Sequence, residues 1–215
     1  MKNNPPLVES YDEQEERINY LSHGLGALLS LIAGVLLIIK GAYLDIAQWS
    51  ALWIYAISLV VLFSASALYH RATTADRRHF YKKLDHTAIY YLIAGTYTPF
   101  LAIAIPTAKA HYLLILLWVI ALIGTLFKLV FIHTFQRISL IAYLVMGWLA
   151  LLVIDDMKHF LNDQALTLLI AGGIAYTVGA LFYALKSVRY THAIWHIFVL
   201  MGAGLQFLSI YLYVI

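Results

Sequence analysis

Seven apolar runs of membrane-spanning length, joined by short polar connections, constrain this chain more than any other feature of its sequence. A helix needs about 20 predominantly apolar residues to cross a hydrocarbon core about 30 Å thick. The runs lie near 22–39, 49–69, 84–105, 111–131, 138–155, 165–185 and 192–214. In lipid, each helix satisfies its own backbone hydrogen bonds. A closed β-barrel would instead need segments of about ten residues with alternating polarity, and the sequence has none. Polar surface is scarce: Asp, Glu, Lys and Arg make up 12% of the chain and 63% of it is hydrophobic, so lipid must solvate much of the folded protein. The expected fold is all-α, a polytopic bundle of seven transmembrane helices. It divides into a short segment at 1–21 and one membrane domain at 22–215, because no linker, low-complexity tract or internal repeat interrupts the latter.

Lys and Arg set the expected orientation. One side holds the N-terminus and the second, fourth and sixth connections, with Lys2, Arg17, Arg71, Arg77, Arg78, Lys82, Lys83, Lys128, Arg137, Lys186 and Arg189. The other side holds only Lys40, Lys109 and Lys158. Cytoplasmic connections carry the excess of basic residues, which predicts a cytoplasmic N-terminus and, after seven crossings, an outside C-terminus. Because these residues flank spans, the net charge of +3 reads as a topology signal and not as a nucleic-acid surface. Residues 1–21 hold Glu9, Asp12, Glu13, Glu15 and Glu16 and no apolar core, so no cleaved leader is expected. Tyr43, Trp49 and Trp53 suit either an interfacial position or lipid-facing packing. Cysteine is absent, so any metal must be held by His, Asp or Glu.

The remaining information sits in ionisable and hydroxyl residues within or beside the apolar runs. A charged side chain at a span centre costs roughly 3 kcal/mol on insertion scales, and such residues tend to be paired, hydrated or ligand-bound. His192 and His196 open the seventh span as H-A-I-W-H, a four-residue spacing that puts both imidazoles on one helical face. Ser66 and His70 repeat that spacing in S-A-L-Y-H at the end of the second span. Asp85 opens the third span, where it can cap the helix, pair with Lys82 or Lys83, or serve a site. His86, next to it, points about 100° away around the helix and reads as interfacial. The predicted topology brings His70, Asp85, His192 and His196 to similar depth near one membrane face. Three imidazoles, a carboxylate and no thiol suit a catalytic-type zinc site with three nitrogen ligands and a water, while residue type leaves iron and manganese open. His23, at the same face, reads first as a headgroup-level histidine and second as a lining residue; His79, His111, His133 and His159 read as solvated.

Other signals are weak. Gly24-x-Gly26 lacks the third glycine and the preceding strand of a dinucleotide loop. No P-loop occurs, and the seventh span has no lysine for a retinal Schiff base. Tyr90, Tyr91, Thr96, Tyr97, Thr98 and Pro99 either shape a cavity along the third span or simply pack.

In their order along the chain, N-Y-L-S-H-G at 19–24, S-x-x-x-H at 66–70, L-D-H at 84–86, A-G-T-Y-T-P-F at 94–100 and H-x-x-x-H at 192–196 resemble the bacterial hemolysin III proteins. Those belong to the progestin and adipoQ receptor family, within a superfamily that includes alkaline ceramidases. The resemblance implies a seven-helix protein of the cell inner (plasma) membrane with a zinc site near the cytoplasmic face. It implies His70, His192 and His196 as zinc ligands, Asp85 as the residue that holds the water, and Ser66 as its support. Two functions follow as expectations. One is a zinc-dependent hydrolase of a lipid amide or ester, with the fatty acyl chain of a membrane lipid lying between the helices. The other is a non-enzymatic regulator of the membrane, a receptor-like sensor or an oligomeric pore, in which zinc is structural; a pore would need polar residues repeating along several spans, and spans four and six have few.

Overall fold

The computed structural model describes residues 11–132, 136–185 and 188–215; Lys2, Glu9, His133 and Lys186 of the sequence reading lie outside them. All regular elements among the described residues are helical: α1 (Glu13–Lys40), α2 (Ile46–Arg71), α3 (Ala75–Pro99), α4 (Ala108–Val130), α5 (Gln136–Gly147), α6 (Ile154–Phe160), α7 (Asp163–Ala184) and α8 (Thr191–Tyr213). Seven helical stretches are long and apolar enough to cross a membrane, the fifth being Arg137–Phe160. α1 packs on α2, α2 on α3, α3 on α4 and α7 on α8; α8 returns to α1, and α5 bridges α3 and α7. α3 is the most buried of the seven stretches.

The outside of the bundle is apolar, as lipid solvation demands, and the buried polar residues lie inside it together with a core that includes Leu52, Phe63, Phe100 and Leu117. On α1 the buried stripe is Glu15, Asn19, His23, Gly26, Ser30, Gly34 and Leu37, at helical spacing. Leu25, Leu28, Leu31 and Val35, on its outer face, are each more than half exposed.

Two elements differ from the sequence reading. The third helix starts at Ala75, well before the expected 84, so the basic connection is largely helical and Asp85 lies in the third turn and not at the N-terminus. The cap reading of Asp85 is therefore wrong. Arg77, Arg78, Lys82 and Lys83 are good helix formers; their polarity marked the edge of the apolar run, not the end of the helix. At the other end Pro99 has no N–H and its ring crowds the preceding turn, and Phe100–Ala104 continues as a wider π-turn.

The fifth crossing is broken at Trp148, where Leu149–Val153 forms a 3-10 turn between α5 and α6. Tyr97 of α3 covers the break: its hydroxyl donates to the Gly147 carbonyl at 2.6 Å and accepts from the Ala150 N–H at 2.8 Å. An unsatisfied backbone group within a membrane costs several kcal/mol, so Tyr97 permits the irregularity. Trp148 itself bonds Thr177 of α7 at 3.0 Å.

Candidate metal centre

Three helix ends converge at one end of the bundle: the last turn of α2, the first turns of α8 and the first half of α1. His70, His192 and His196 are all buried, and one ring nitrogen from each lies within 4.8 Å of the others. The ring centroids are 5.1 Å apart for His70 and His192, 4.9 Å for His70 and His196, and 4.7 Å for His192 and His196. Residues from helices more than 120 positions apart in sequence are thus brought into one cluster that can hold a metal ion.

The hydrogen bonds around the cluster orient it. Nδ1 of His70 faces a Glu16 carboxylate oxygen at 2.6 Å. A carboxylate there accepts, so Nδ1 carries the proton and Nε2 of the neutral ring presents its lone pair. Nδ1 of His192 meets the Tyr11 hydroxyl at 3.0 Å. The two Nε2 atoms then face each other at 3.3 Å. Two nitrogen ligands on a tetrahedral zinc with bonds of about 2.0–2.1 Å are about 3.3–3.4 Å apart. His196 is fully buried against the α1 backbone at Asn19, yet neither of its ring nitrogens meets a well-formed hydrogen bond among the described residues. Buried imidazole nitrogens without partners are costly. The donor set and its orientation therefore fit a cation held by nitrogen.

Asp85 and Ser66 are buried side by side. Asp85 is not part of the three-histidine group, but it shares a small pocket with His192, Tyr11, Lys82, His86 and Trp195. It also borders a second, apolar cavity of about 200 Å³. That cavity is lined from Asp85 and His23 at the cluster end to Met157 and Leu166 at the other. Along α7 it extends from Ala180 to Leu166, a rise of about 21 Å.

Two histidines depart from their expected places. His23 is 2% exposed and stacks on His196, with centroids 3.6 Å apart and planes at 13°; it is a lining residue and not a headgroup-level one. His86 is also buried, in the small pocket beside Asp85. Its 100° offset turns it away from Asp85 around the helix, but the exposed side of α3 at this level is taken by Phe80 and Leu84, and His86 stays buried. His111 and His159 are exposed, as expected.

Sequence reasoning missed Tyr11, Glu16 and Arg78. Glu16 contacts both His70 and the Arg78 guanidinium, and the Tyr11 ring stacks on His192 at 4.4 Å. The available signal was spacing: Glu16 and His23 are seven residues apart, two turns on one face of a helix that starts earlier than the apolar run.

Asp12 caps α1 by accepting from the Glu15 N–H at 2.9 Å, and Arg189 bonds it at 2.6 Å. The Glu15 N–H first, and Arg189 second, hold the Asp12 carboxyl below its ordinary 3.8. A depressed value means that its contribution is complete above that pH and is lost as pH falls through the folded value. Amide exchange at residues 13–16 should therefore accelerate, relative to intrinsic rates, as pH falls below the ordinary 3.8. Asp12→Asn should remove that part of the acceleration; an unchanged profile in Asp12→Asn would discount the cap.

The family model described as "Haemolysin-III related" matches residues 11–207. The chain is 38% identical over 203 residues to Hemolysin-3 of Bacillus cereus, covering 94% of this chain and 93% of that one. It is 39% identical over 204 residues to the Hemolysin-3 homolog of Bacillus subtilis (strain 168), covering 93% and 94%. It is also similar to the human Monocyte to macrophage differentiation factor, 29% identical over 167 residues, covering 75% of this chain and 69% of that protein.

Proposed function

The chain belongs to the haemolysin-III related family, and on that premise we propose that it is a zinc-dependent lipid hydrolase of the cell membrane. Its site would open toward the cytoplasm, with the N-terminus on that side and the C-terminus outside, in keeping with the Lys and Arg bias. The single observation that carries the reading is the pair of Nε2 atoms 3.3 Å apart, with Nδ1 of each ring held from behind by Glu16 or Tyr11.

His70, His192 and His196 would hold the zinc, and their neutral rings would leave its positive charge uncompensated in a buried site. Bound zinc lowers the pKa of water toward about 7 and polarises a carbonyl oxygen. Asp85, bordering both the small pocket and the apolar cavity, would orient a water at the site and accept its proton. Ser66, buried beside it, steadies the carboxylate. The apolar cavity takes the acyl chain, excludes water from it, and delivers its carbonyl end past His23 to the cluster. The substrate class is an amide or ester of a fatty acid, presented from the bilayer.

The test is fatty-acid release from N-acyl and O-acyl lipids by the purified protein, read by mass spectrometry alongside metal content. Asp85→Asn should keep the metal and lower release at least about 100-fold, the lower range of general-base contributions. Undiminished release in that variant, or none from the metal-loaded wild type, rejects the hydrolase and leaves a regulator with a structural metal.

A further inference from the structure

The starts of α1 and α8 are tied together beside the histidine cluster. Tyr11 stacks on His192, and its hydroxyl meets Nδ1 of that ring at 3.0 Å. The next residue, Asp12, accepts from Nε–H of Arg189 at 2.6 Å, and the Tyr190 hydroxyl donates to Oε1 of Gln14 at 3.1 Å. Tyr190 adopts φ 64° and ψ 2°, and it alone among the described non-glycine residues has a positive φ. A left-handed backbone costs a tyrosine free energy. At this turn, just before His192, Arg189 and Tyr190 meet the start of α1, and the guanidinium lies 4.8 Å from the centre of the Tyr190 ring.

Tyr11 also forms one wall of the small pocket that holds Asp85, Lys82 and His192. That pocket has a volume of about 10 Å³, close to the least that accommodates one water. Its other described lining residues all belong to α2, α3, α7 or α8. Tyr11 lies ahead of α1, so it can swing aside without moving a helix, and segments near a chain end open locally at the lowest cost. The histidine cluster is buried. The long cavity that also leads toward it has an apolar wall, a poor route for a hydrated ion. The polar approach is the side that Tyr11 covers.

We propose that Tyr11 is a movable cover on the polar side of the metal centre, and that Asp12 and Arg189 are positioning residues that hold it shut, so that their ion pair sets how fast the metal exchanges with water. The inference rests on the reading of His70, His192 and His196 as metal ligands, and not on hydrolysis. Asp12 and Arg189 are both exposed, so either can be changed without opening a cavity. A latch over a site slows entry and exit alike. Cutting it raises both rates and leaves Kd nearly as it was.

The experiment measures zinc release into excess chromophoric chelator, and zinc uptake by the metal-stripped full chain in detergent. Asparagine still caps a helix, so Asp12→Asn removes the ion pair and keeps the start of α1. Arg189→Gln and Asp12→Asn should each raise release and uptake about two- to fivefold, the upper range for an exposed ion pair, with Kd held within about twofold. Arg189→Lys, which keeps the charge, should stay near the wild type. At about 1 M salt, where charges are screened beyond about 3 Å, both charge-removing variants should converge on the wild type. These two substitutions change the net charge in opposite senses. A field effect on the approaching cation would therefore move their uptake rates in opposite directions, and that result overturns the proposal. So do unchanged rates in both variants, or a weaker Kd with uptake unchanged, which marks a loosened His192 and not a cover. Zinc that binds while the rates stay fixed sinks only the latch; a protein that takes up no zinc sinks the metal centre and the latch together.

Discussion

Replacing His70, His192 and His196 together by alanine should take the purified protein from about one zinc per chain to none. The effect should be all-or-none because the ligands are few and neutral, and nothing else in the cluster replaces three nitrogens. Loss of metal has a second readout. A ligand that binds only the folded state stabilises it by about 4 kcal/mol when present at a thousandfold excess over its Kd. A strong chelator should therefore lower the thermal midpoint of the wild type and leave that of the triple variant unchanged. Helical content, measured by far-UV circular dichroism, should persist in the variant, because the seven apolar stretches do not depend on these side chains to remain in lipid. Full metal content in the triple variant, or a chelator effect equal in both proteins, would place the metal elsewhere.

Glu16→Ala should weaken metal binding by about 10- to 100-fold, the usual cost of removing a carboxylate that orients a ligating histidine. Glu16 fixes the His70 ring through Nδ1 at 2.6 Å and is itself held by Arg78. Without it the ring loses both its tautomeric preference and its basicity. Tyr11→Phe removes a single neutral hydrogen bond at 3.0 Å to His192, while the ring stacking survives. Its effect should be smaller, about two- to tenfold. Competition with a chromophoric chelator measures both. Equal affinities for the wild type and Glu16→Ala would show that the carboxylate serves only to pair Arg78.

The spans and the three clustered histidines were legible because each has a strong local cause. Length and hydropathy mark a membrane helix, and a four-residue spacing marks a shared face. The Lys and Arg count then led to one end of the bundle as the place where His70, His192 and His196 could meet, and they do meet there. What was not legible depended on where helices begin. Apolar runs show the hydrocarbon thickness, not the helix, so α1 and α3 both start a few turns before their runs. Those extra turns carry Glu16 and Arg78 to His70, and the lengthening of α3 moved Asp85 from a helix end into the interior. His23 was misjudged for a related reason. On a membrane helix the polar stripe faces inward, and Glu15, Asn19 and His23 form that stripe. The break at Trp148 had no signal of its own, since the groups that make it tolerable come from Tyr97 on another helix.

Zinc K-edge X-ray absorption on the purified protein tests the central claim most directly. Three imidazole nitrogens and one oxygen at about 2.0–2.1 Å are the expected first coordination sphere, with the imidazole scattering pattern lost in the triple alanine variant. Zinc surrounded by oxygen alone, or protein that retains no stoichiometric metal after gentle purification, would contradict it.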